Sequence, residues 1–186
     1  MRKTLVALAL GLAAVSNTYA GPPEKFGTHL QGFTLTGAAV ATNATGEAKV
    51  EVLDGGTALR FRVNVAGIRN LWMAHIHVAA VGSSTPVQVT DAAGPIAYWF
   101  VGGPPQQSTL SQPVNGTLAE GFIITNGDVA QWTDANDADA GTVAGLIKAM
   151  RDGRASVIVH TNDLDATTTP GVAGDSPQGE LRGTLR

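Results

Sequence analysis

Cysteine is absent from the 186 residues, and charged residues are sparse, at 15% of the chain. Without cysteine the chain can form neither a disulfide nor a thiolate, so a metal site would have to use histidine, carboxylate, methionine or backbone ligands. The 12 lysines and arginines, against 15 acidic residues, form no basic run. Nucleic acids and membrane surfaces both attract such runs. The composition therefore argues against nucleic acid as a partner and against a membrane surface.

Motifs of nucleophilic catalysis are missing as well. The chain has no Gly-x-Ser-x-Gly elbow and no serine next to a credible histidine and acid pair. No glycine-rich loop fits a phosphate-binding pattern. The residues thus offer little for the common hydrolases and nucleotide-binding enzymes.

Residues 1–20 have the pattern of a secretory signal peptide. Arg2 and Lys3 precede an apolar run over 5–15, and small residues stand before an expected cleavage after Ala20. The run is too short to span a bilayer. We therefore expect export, to the periplasm or as a secreted protein.

The expected mature chain has 166 residues, with 10 basic against 15 acidic side chains and a formal charge of −5. No later segment is long and apolar enough to span a membrane, so we expect no membrane span in the mature form. This length suits one domain with a proper core. We assign residues 21–28 to an N-terminal lead and residues 29–186 to a single domain.

The turn and strand signals are typical of an all-β domain. Glycine is frequent, at 23 residues, and apolar and polar residues alternate in short stretches. The clearest hairpin joins 48–53 to 57–65 through the turn Asp54-Gly55-Gly56. The strands predicted in this way cover residues 29–35, 48–53, 57–65, 72–79, 96–101, 121–125, 156–161 and 179–185.

One segment departs from the β pattern. Residues 141–151 carry Val143, Leu146, Ile147 and Met150 at helical spacing, and Gly153 follows as a stop. The pattern predicts one short amphipathic helix near 141–151, packed over one end of the domain.

Residues 71–80, LWMAHIHVAA, place two histidines one residue apart in an apolar run. Side chains at i and i+2 of a strand lie on the same face. His75 and His77 should therefore stand together with Met73, while the alternate residues form an apolar row that looks like core. The pair is either at a solvated surface or binds something.

His160 ends another predicted strand, so three histidines can converge on one metal, for which imidazole suits copper, zinc, iron or nickel. The alternative is that they only form hydrogen bonds that hold strand ends and loops. Met73 is either a soft axial ligand for copper or a space filler. Glu180 lies opposite the leucines of its strand, where it can pair with a neighbouring arginine.

The acid-rich stretch at 134–141 invites comparison with a calcium loop. The EF-hand pattern would need an acid or amide at 138, but Ala138 stands there and the register fails. A solvated loop leading into the helix is the simpler interpretation.

Three motifs in order resemble the CHRD domain family, first described in chordin. They are AHIH at 74–77, VIVHT at 157–161 and GELRGTL at 179–185. The resemblance extends over about residues 29–186. It departs from the family pattern where Ala79-Ala80-Val81 replace an expected glycine, and where the loop 162–178 is longer than expected.

The resemblance implies an exported β-rich module with no accepted enzyme activity. It also implies a two-sheet antiparallel β-sandwich similar to the Greek-key folds of immunoglobulins and copper–zinc superoxide dismutase. The dismutase also uses a His-x-His strand for its metal, which is an analogy of fold only.

Three functions follow as hypotheses. The first is a non-enzymatic module that holds copper or zinc through His75, His77 and His160, with Glu180 orienting a histidine from behind. The second is a protein-interaction or adhesion module with structural histidines, whose loops 102–116 and 162–178 contact an unknown protein or extracellular ligand. The third is a dismutase-like redox enzyme, which the acidic charge does not favour.

Overall fold

The computed structural model describes residues 22–82, 96–102, 113–163 and 173–186. The expected signal peptide lies outside these residues, as does most of the two loops to which an interaction function was assigned. The described residues form eight strands and two helices: β1 (Lys25–Leu30), β2 (Thr45–Leu53), β3 (Ala58–Ile68), β4 (Leu71–Val78), β5 (Ile96–Val101), β6 (Val114–Ile124), α1 (Asn126–Val129), α2 (Val143–Arg151), β7 (Ala155–Thr161) and β8 (Leu181–Thr184).

The strands form two four-stranded sheets. The first sheet has the order β1-β2-β3-β6 and the second has the order β5-β4-β7-β8. Every strand pair in both sheets is antiparallel. The predicted all-β, two-sheet antiparallel sandwich is confirmed.

The core lies between the sheets, because alternate residues of each strand point inward. On β3, Leu59, Phe61 and Val63 are fully buried. The ring of Phe61 packs on Phe100 of the second sheet with centroids 5.4 Å apart. On β4, the inward residues Ala74, Ile76 and Val78 are also fully buried. Three of the four residues in the apolar row predicted for LWMAHIHVAA are therefore part of this core, whereas the fourth, Trp72, is only half-buried and lies outside it.

The predicted β2–β3 hairpin is confirmed. Val50 pairs with Phe61, and the register closes at Leu53 and Ala58. The turn between them uses the left-handed region three times in succession, at Asp54 (φ 51°), Gly55 (φ 68°) and Gly56 (φ 98°). Two adjacent glycines suit this turn because a side chain strains that conformation.

Helix α2 closes one end of the sandwich, as predicted. Thr142 caps it by accepting a hydrogen bond from the Gly145 amide, at 3.0 Å. Its apolar face, including Leu146 and Met150, is buried in the core. The helix ends at Arg151, and Gly153 follows with φ 68°.

Three predicted boundaries were wrong. Strand β1 begins at Lys25 and ends at Leu30, and the predicted continuation instead folds into a turn in which the Ala38 amide donates to Thr34 Oγ1. Strand β6 begins at Val114, seven residues before the predicted start at 121. In addition, helix α1 was not predicted. Most of β6 is exposed and its register with β3 shifts three times. It therefore lacks the alternation by which strands are identified.

Candidate metal centre

The face of β4 that points away from the sandwich core carries His75 and His77. Both are buried nonetheless, with 1% and 3% of their surface exposed. Alternation along one strand thus puts an apolar row into the core and two imidazoles behind it. The first possibility raised by the sequence, a solvated surface, is excluded for this pair.

Strand β7 brings the third histidine beside this pair. His160 lies opposite Met73 in the β4–β7 register, while Ile158 lies opposite His75. Residues paired in this way share a face of the sheet, so His160 points to the same side as the other two histidines. Its side chain is also buried, with 4% of its surface exposed.

Two connecting segments, the β1–β2 connection and the stretch before β8, cover this outer face of the second sheet. Leu35, from the β1–β2 connection, packs with Ala79 and Ile158 in a small apolar cluster apart from the main core. The Leu35 amide donates to Gln178 O at 2.8 Å, and Arg182 Nη1 donates to Leu35 O at 3.0 Å. The histidines therefore lie between the sheet and these segments, out of contact with bulk water.

The three histidines are close enough to share an ion. One nitrogen from each lies within 4.8 Å of the other two. Three nitrogens bound to one zinc ion at about 2.1 Å are about 3.4–3.6 Å apart in a tetrahedral or trigonal arrangement. Binding would therefore draw the widest pair of nitrogens together by at most about 1.4 Å.

One of the rings is oriented by a backbone group. His160 Nδ1 lies 2.8 Å from Pro177 O. A carbonyl can only accept, so Nδ1 carries the hydrogen and Nε2 keeps a free lone pair. Second-shell bonds of this kind fix the tautomer and direction of metal-ligating histidines.

Most of the remaining ring nitrogens are buried without partners. Within the described part of the chain, no hydrogen bond reaches His75 Nδ1, His160 Nε2 or either nitrogen of His77. A buried polar atom left unpaired costs about 1–3 kcal/mol. Four such atoms together cost about as much as the whole stability of a typical domain. A bound ion would remove most of this cost.

All three imidazoles are neutral at physiological pH. Burial lowers the pKa of His77 from 6.5 to about 3, with further contributions from His160 and the positive charge of Arg182. Burial lowers the pKa of His160 to about 4, against the raising effect of its bond to Pro177. The pKa of His75 is lowered as well, chiefly by burial. Neutral imidazole is the form that binds metals.

Two further side chains border the cluster. Met73 is half-buried in the same row as the histidine pair and pairs with His160 in register. Its role as an axial ligand stays a prediction. Trp99 of β5 lies opposite His75, and the two rings meet edge to face with centroids 4.5 Å apart. No sequence pattern pointed to Trp99 or Pro177 at the site, because neither lies near a histidine in the chain.

Glu180 has different partners from those expected. Its buried carboxylate accepts hydrogen bonds from Thr42 Oγ1 (2.6 Å), Thr161 Oγ1 (2.8 Å) and the Gly174 amide (2.7 Å). Pro177, and not Glu180, holds His160. Glu180 therefore ties together the β1–β2 connection, the end of β7 and the segment before β8.

The acid-rich stretch forms no convergent calcium site among the described residues. Asp134 accepts from the amides of Val81 and Asn136. Asp137 pairs with Arg154 at 2.8 Å in a buried ion pair. These carboxylates organise the loop that leads into α2.

The helices of the described segments are all too short to cross a membrane.

A family model for the CHRD domain matches residues 26–167. The match extends from β1 to just past β7 and includes all three clustered histidines, but it ends before the motif at 179–185. No curated protein and no solved structure matches the chain. Because the family model covers well over half of the sequence, the chain belongs to the CHRD domain family.

Proposed function

We propose that this protein is an exported, non-enzymatic module that binds a transition metal, copper or zinc, through His75, His77 and His160. The observation that carries the proposal is the cluster itself: three buried, neutral imidazoles whose nitrogens lie within 4.8 Å of one another. Most of those nitrogens have no hydrogen-bond partner in the described segments. Export rests on the signal-peptide pattern at 1–20.

The donor set supports copper or zinc over magnesium or calcium. Imidazole nitrogen suits copper and zinc, whereas magnesium and calcium need oxygen ligands. No described aspartate or glutamate joins the cluster. The affinity of nitrogen sites for divalent first-row metals also peaks at copper.

The enclosure of the site supports retention of an ion over turnover of a substrate. The three side chains are between 1% and 4% exposed. Structural zinc sites are closed by four protein ligands, whereas catalytic sites keep a position open to water or substrate. Three histidines alone leave such a position, so the burial of the cluster, and not the number of its ligands, supports a holding function. A holding function fits this geometry better than an enzymatic one.

The first experiment is elemental analysis of the untagged mature protein, followed by copper and zinc titration. We expect one equivalent of metal per chain, and its loss in a His75→Ala, His77→Ala double variant. His29→Ala is the matched control, because His29 is exposed and outside the cluster. Metal content that is absent, or that the double variant leaves unchanged, would overturn the proposal.

A further inference from the structure

We infer that Met73 supplies the fourth ligand to copper at the three-histidine centre, and that its thioether is the group by which the centre distinguishes copper from zinc. The inference rests on the proposed metal-binding function and adds a specificity-determining residue to that site. It follows from the positions of the donor atoms on the outer face of β4 and β7 and from the chemistry of sulfur.

The three histidines leave one coordination position to be filled. Structural zinc sites have four protein ligands, and a centre with three ligands keeps one position open. The cluster in the described part of the chain has three imidazoles and no carboxylate. An ion held there therefore takes a further donor from a neighbouring side chain or from solvent.

The register of the two strands narrows the choice of that side chain. Each histidine of the cluster has one register partner on the neighbouring strand, and these partners are Met73, Ile158 and Ser156. Ile158 has no donor atom, and the hydroxyl of Ser156 lies 3.2 Å from Thr184 Oγ1. The sulfur of Met73 is the one soft donor among the three partners.

Met73 stands next to two of the proposed ligands. It lies directly opposite His160, and side chains paired in this way have Cβ atoms about 4.5–5.5 Å apart. It also precedes His75 by two residues on the same face of β4, which is about 7 Å along the strand. Methionine has three rotatable bonds and fills irregular spaces, so its sulfur can turn toward the nitrogens of these neighbours.

The surroundings of Met73 leave its side chain room to turn. Gly102, which directly follows β5, has φ 74° and no side chain. A methyl group at that position would lie only 3.3 Å from Met73 Cγ. Met73 is half-buried, whereas the three histidines are between 1% and 4% exposed. It therefore occupies the rim of the buried cluster, beside a position that the chain keeps free of a side chain.

The chemistry of the thioether separates the two metals. Methionine sulfur is a ligand of copper, including the weak axial ligand of electron-transfer copper sites. Zinc in proteins takes imidazole, carboxylate and thiolate ligands. A thioether at the fourth position therefore stabilises bound copper and contributes little to bound zinc.

Glu180 brings negative charge to the same face but no ligand atom. Its oxygens accept hydrogen bonds from Thr42, Thr161 and the Gly174 amide, and it does not belong to the cluster. This charge attracts any cation at the centre. The test of Met73 therefore compares variant and unaltered protein for the same ion, so that the contribution of Glu180 cancels.

X-ray absorption at the copper edge of the copper-loaded mature protein identifies the ligand directly. After residue 20 the chain has no cysteine and only two methionines, Met73 and Met150, and Met150 is fully buried in the core. We expect a sulfur neighbour of copper that is lost in Met73→Leu and kept in the matched control Met150→Leu. Zinc in the zinc-loaded protein should have no sulfur neighbour.

Affinities measured by competition with a chelator test the choice of metal. Leucine is close to methionine in volume, so Met73→Leu removes the sulfur and keeps the packing. We expect Met73→Leu to weaken copper binding by about 10–100-fold, the range found when supporting groups at metal sites are lost. The zinc affinity should stay unchanged, and Met150→Leu should alter neither affinity. Cuprous copper is kept anaerobic throughout.

The outcomes separate this inference from the proposed function. Copper bound without a sulfur neighbour in the unaltered protein, or an equal loss of copper and zinc affinity in Met73→Leu, would overturn the role of Met73 and leave the three-histidine site intact. Binding of neither metal would overturn both. Circular dichroism establishes that each variant is folded, and if Met73→Leu is not, the absorption spectrum of the unaltered protein still decides.

Discussion

Lowering the pH from 7 to 5 should remove much of the folding free energy of the metal-free protein. The pKa of His77 falls from 6.5 to about 3 on folding, and that of His160 falls to about 4. As the pH drops, the unfolded chain binds protons before the folded one does. Stability is therefore retained above about pH 6.5 and lost as the pH falls from there toward the folded pKa values.

The size of this effect follows from the same values. At pH 5 each of these two histidines binds a proton only in the unfolded chain, at a cost of about 2 kcal/mol per group. Together they remove about 4 kcal/mol, and His75, whose pKa is also lowered, adds to the loss. Small domains have only about 5–15 kcal/mol in total. The metal-free protein should therefore be close to unfolding near pH 5.

Urea denaturation of the chelator-treated protein, at intervals between pH 5 and pH 8, measures the loss directly. Saturating metal should raise the free energy of unfolding by about 2.7 kcal/mol when its concentration is a hundredfold above the dissociation constant. His29→Ala should leave the stabilisation by metal unchanged, because His29 is exposed and lies outside the cluster. A change of less than 1 kcal/mol between pH 7 and pH 5 would show that the imidazoles are solvated or already paired, which would contradict a buried cluster of unpaired histidines.

Three substitutions and one control variant, Arg151→Ala, test the remaining contacts by the same denaturation assay. His77→Leu should abolish metal binding yet stabilise the metal-free protein, by about 1–3 kcal/mol for each unpaired nitrogen it removes, and a clear loss of stability would mean that the ring is hydrogen-bonded. Glu180→Gln should cost about 1–3 kcal/mol, because the amide cannot accept all three hydrogen bonds, and an unchanged midpoint would contradict that. Arg154→Ala should cost about 3–5 kcal/mol by leaving the buried carboxylate of Asp137 unpaired. Arg151→Ala breaks an exposed ion pair and should leave stability nearly unchanged, and similar losses in the two arginine variants would refute this distinction.

Local patterns were sufficient where each residue's position depended on its neighbours in the chain. Alternation predicted the β2–β3 hairpin and the two faces of β4, and helical spacing predicted α2. The first seven residues of β6 escaped prediction because β6 is an exposed edge strand with shifts in register, so its polar and apolar residues do not alternate. Helix α1 has only four residues, too few for any periodicity.

The three histidines of the candidate centre were also identified from the sequence, but the groups that contact them were not. His75 and His77 share a face because of their spacing alone, and His160 was placed at the end of a strand. That β7 lies beside β4 depends on sheet topology, which brings residues about 85 positions apart into register. The contacts of Glu180 with Thr42 and Gly174 depend on loops whose paths no local pattern specifies.

The sequence by itself therefore determined the β architecture, the absence of thiol ligands and the pairing of two imidazoles on one strand face. Only the tertiary structure decided that this face is covered, that His160 completes the cluster and that Pro177 and Arg182 act on it. The physical reason is that alternation is a property of one strand, whereas burial, hydrogen-bond partners and electric fields arise from groups that meet only when distant segments pack together.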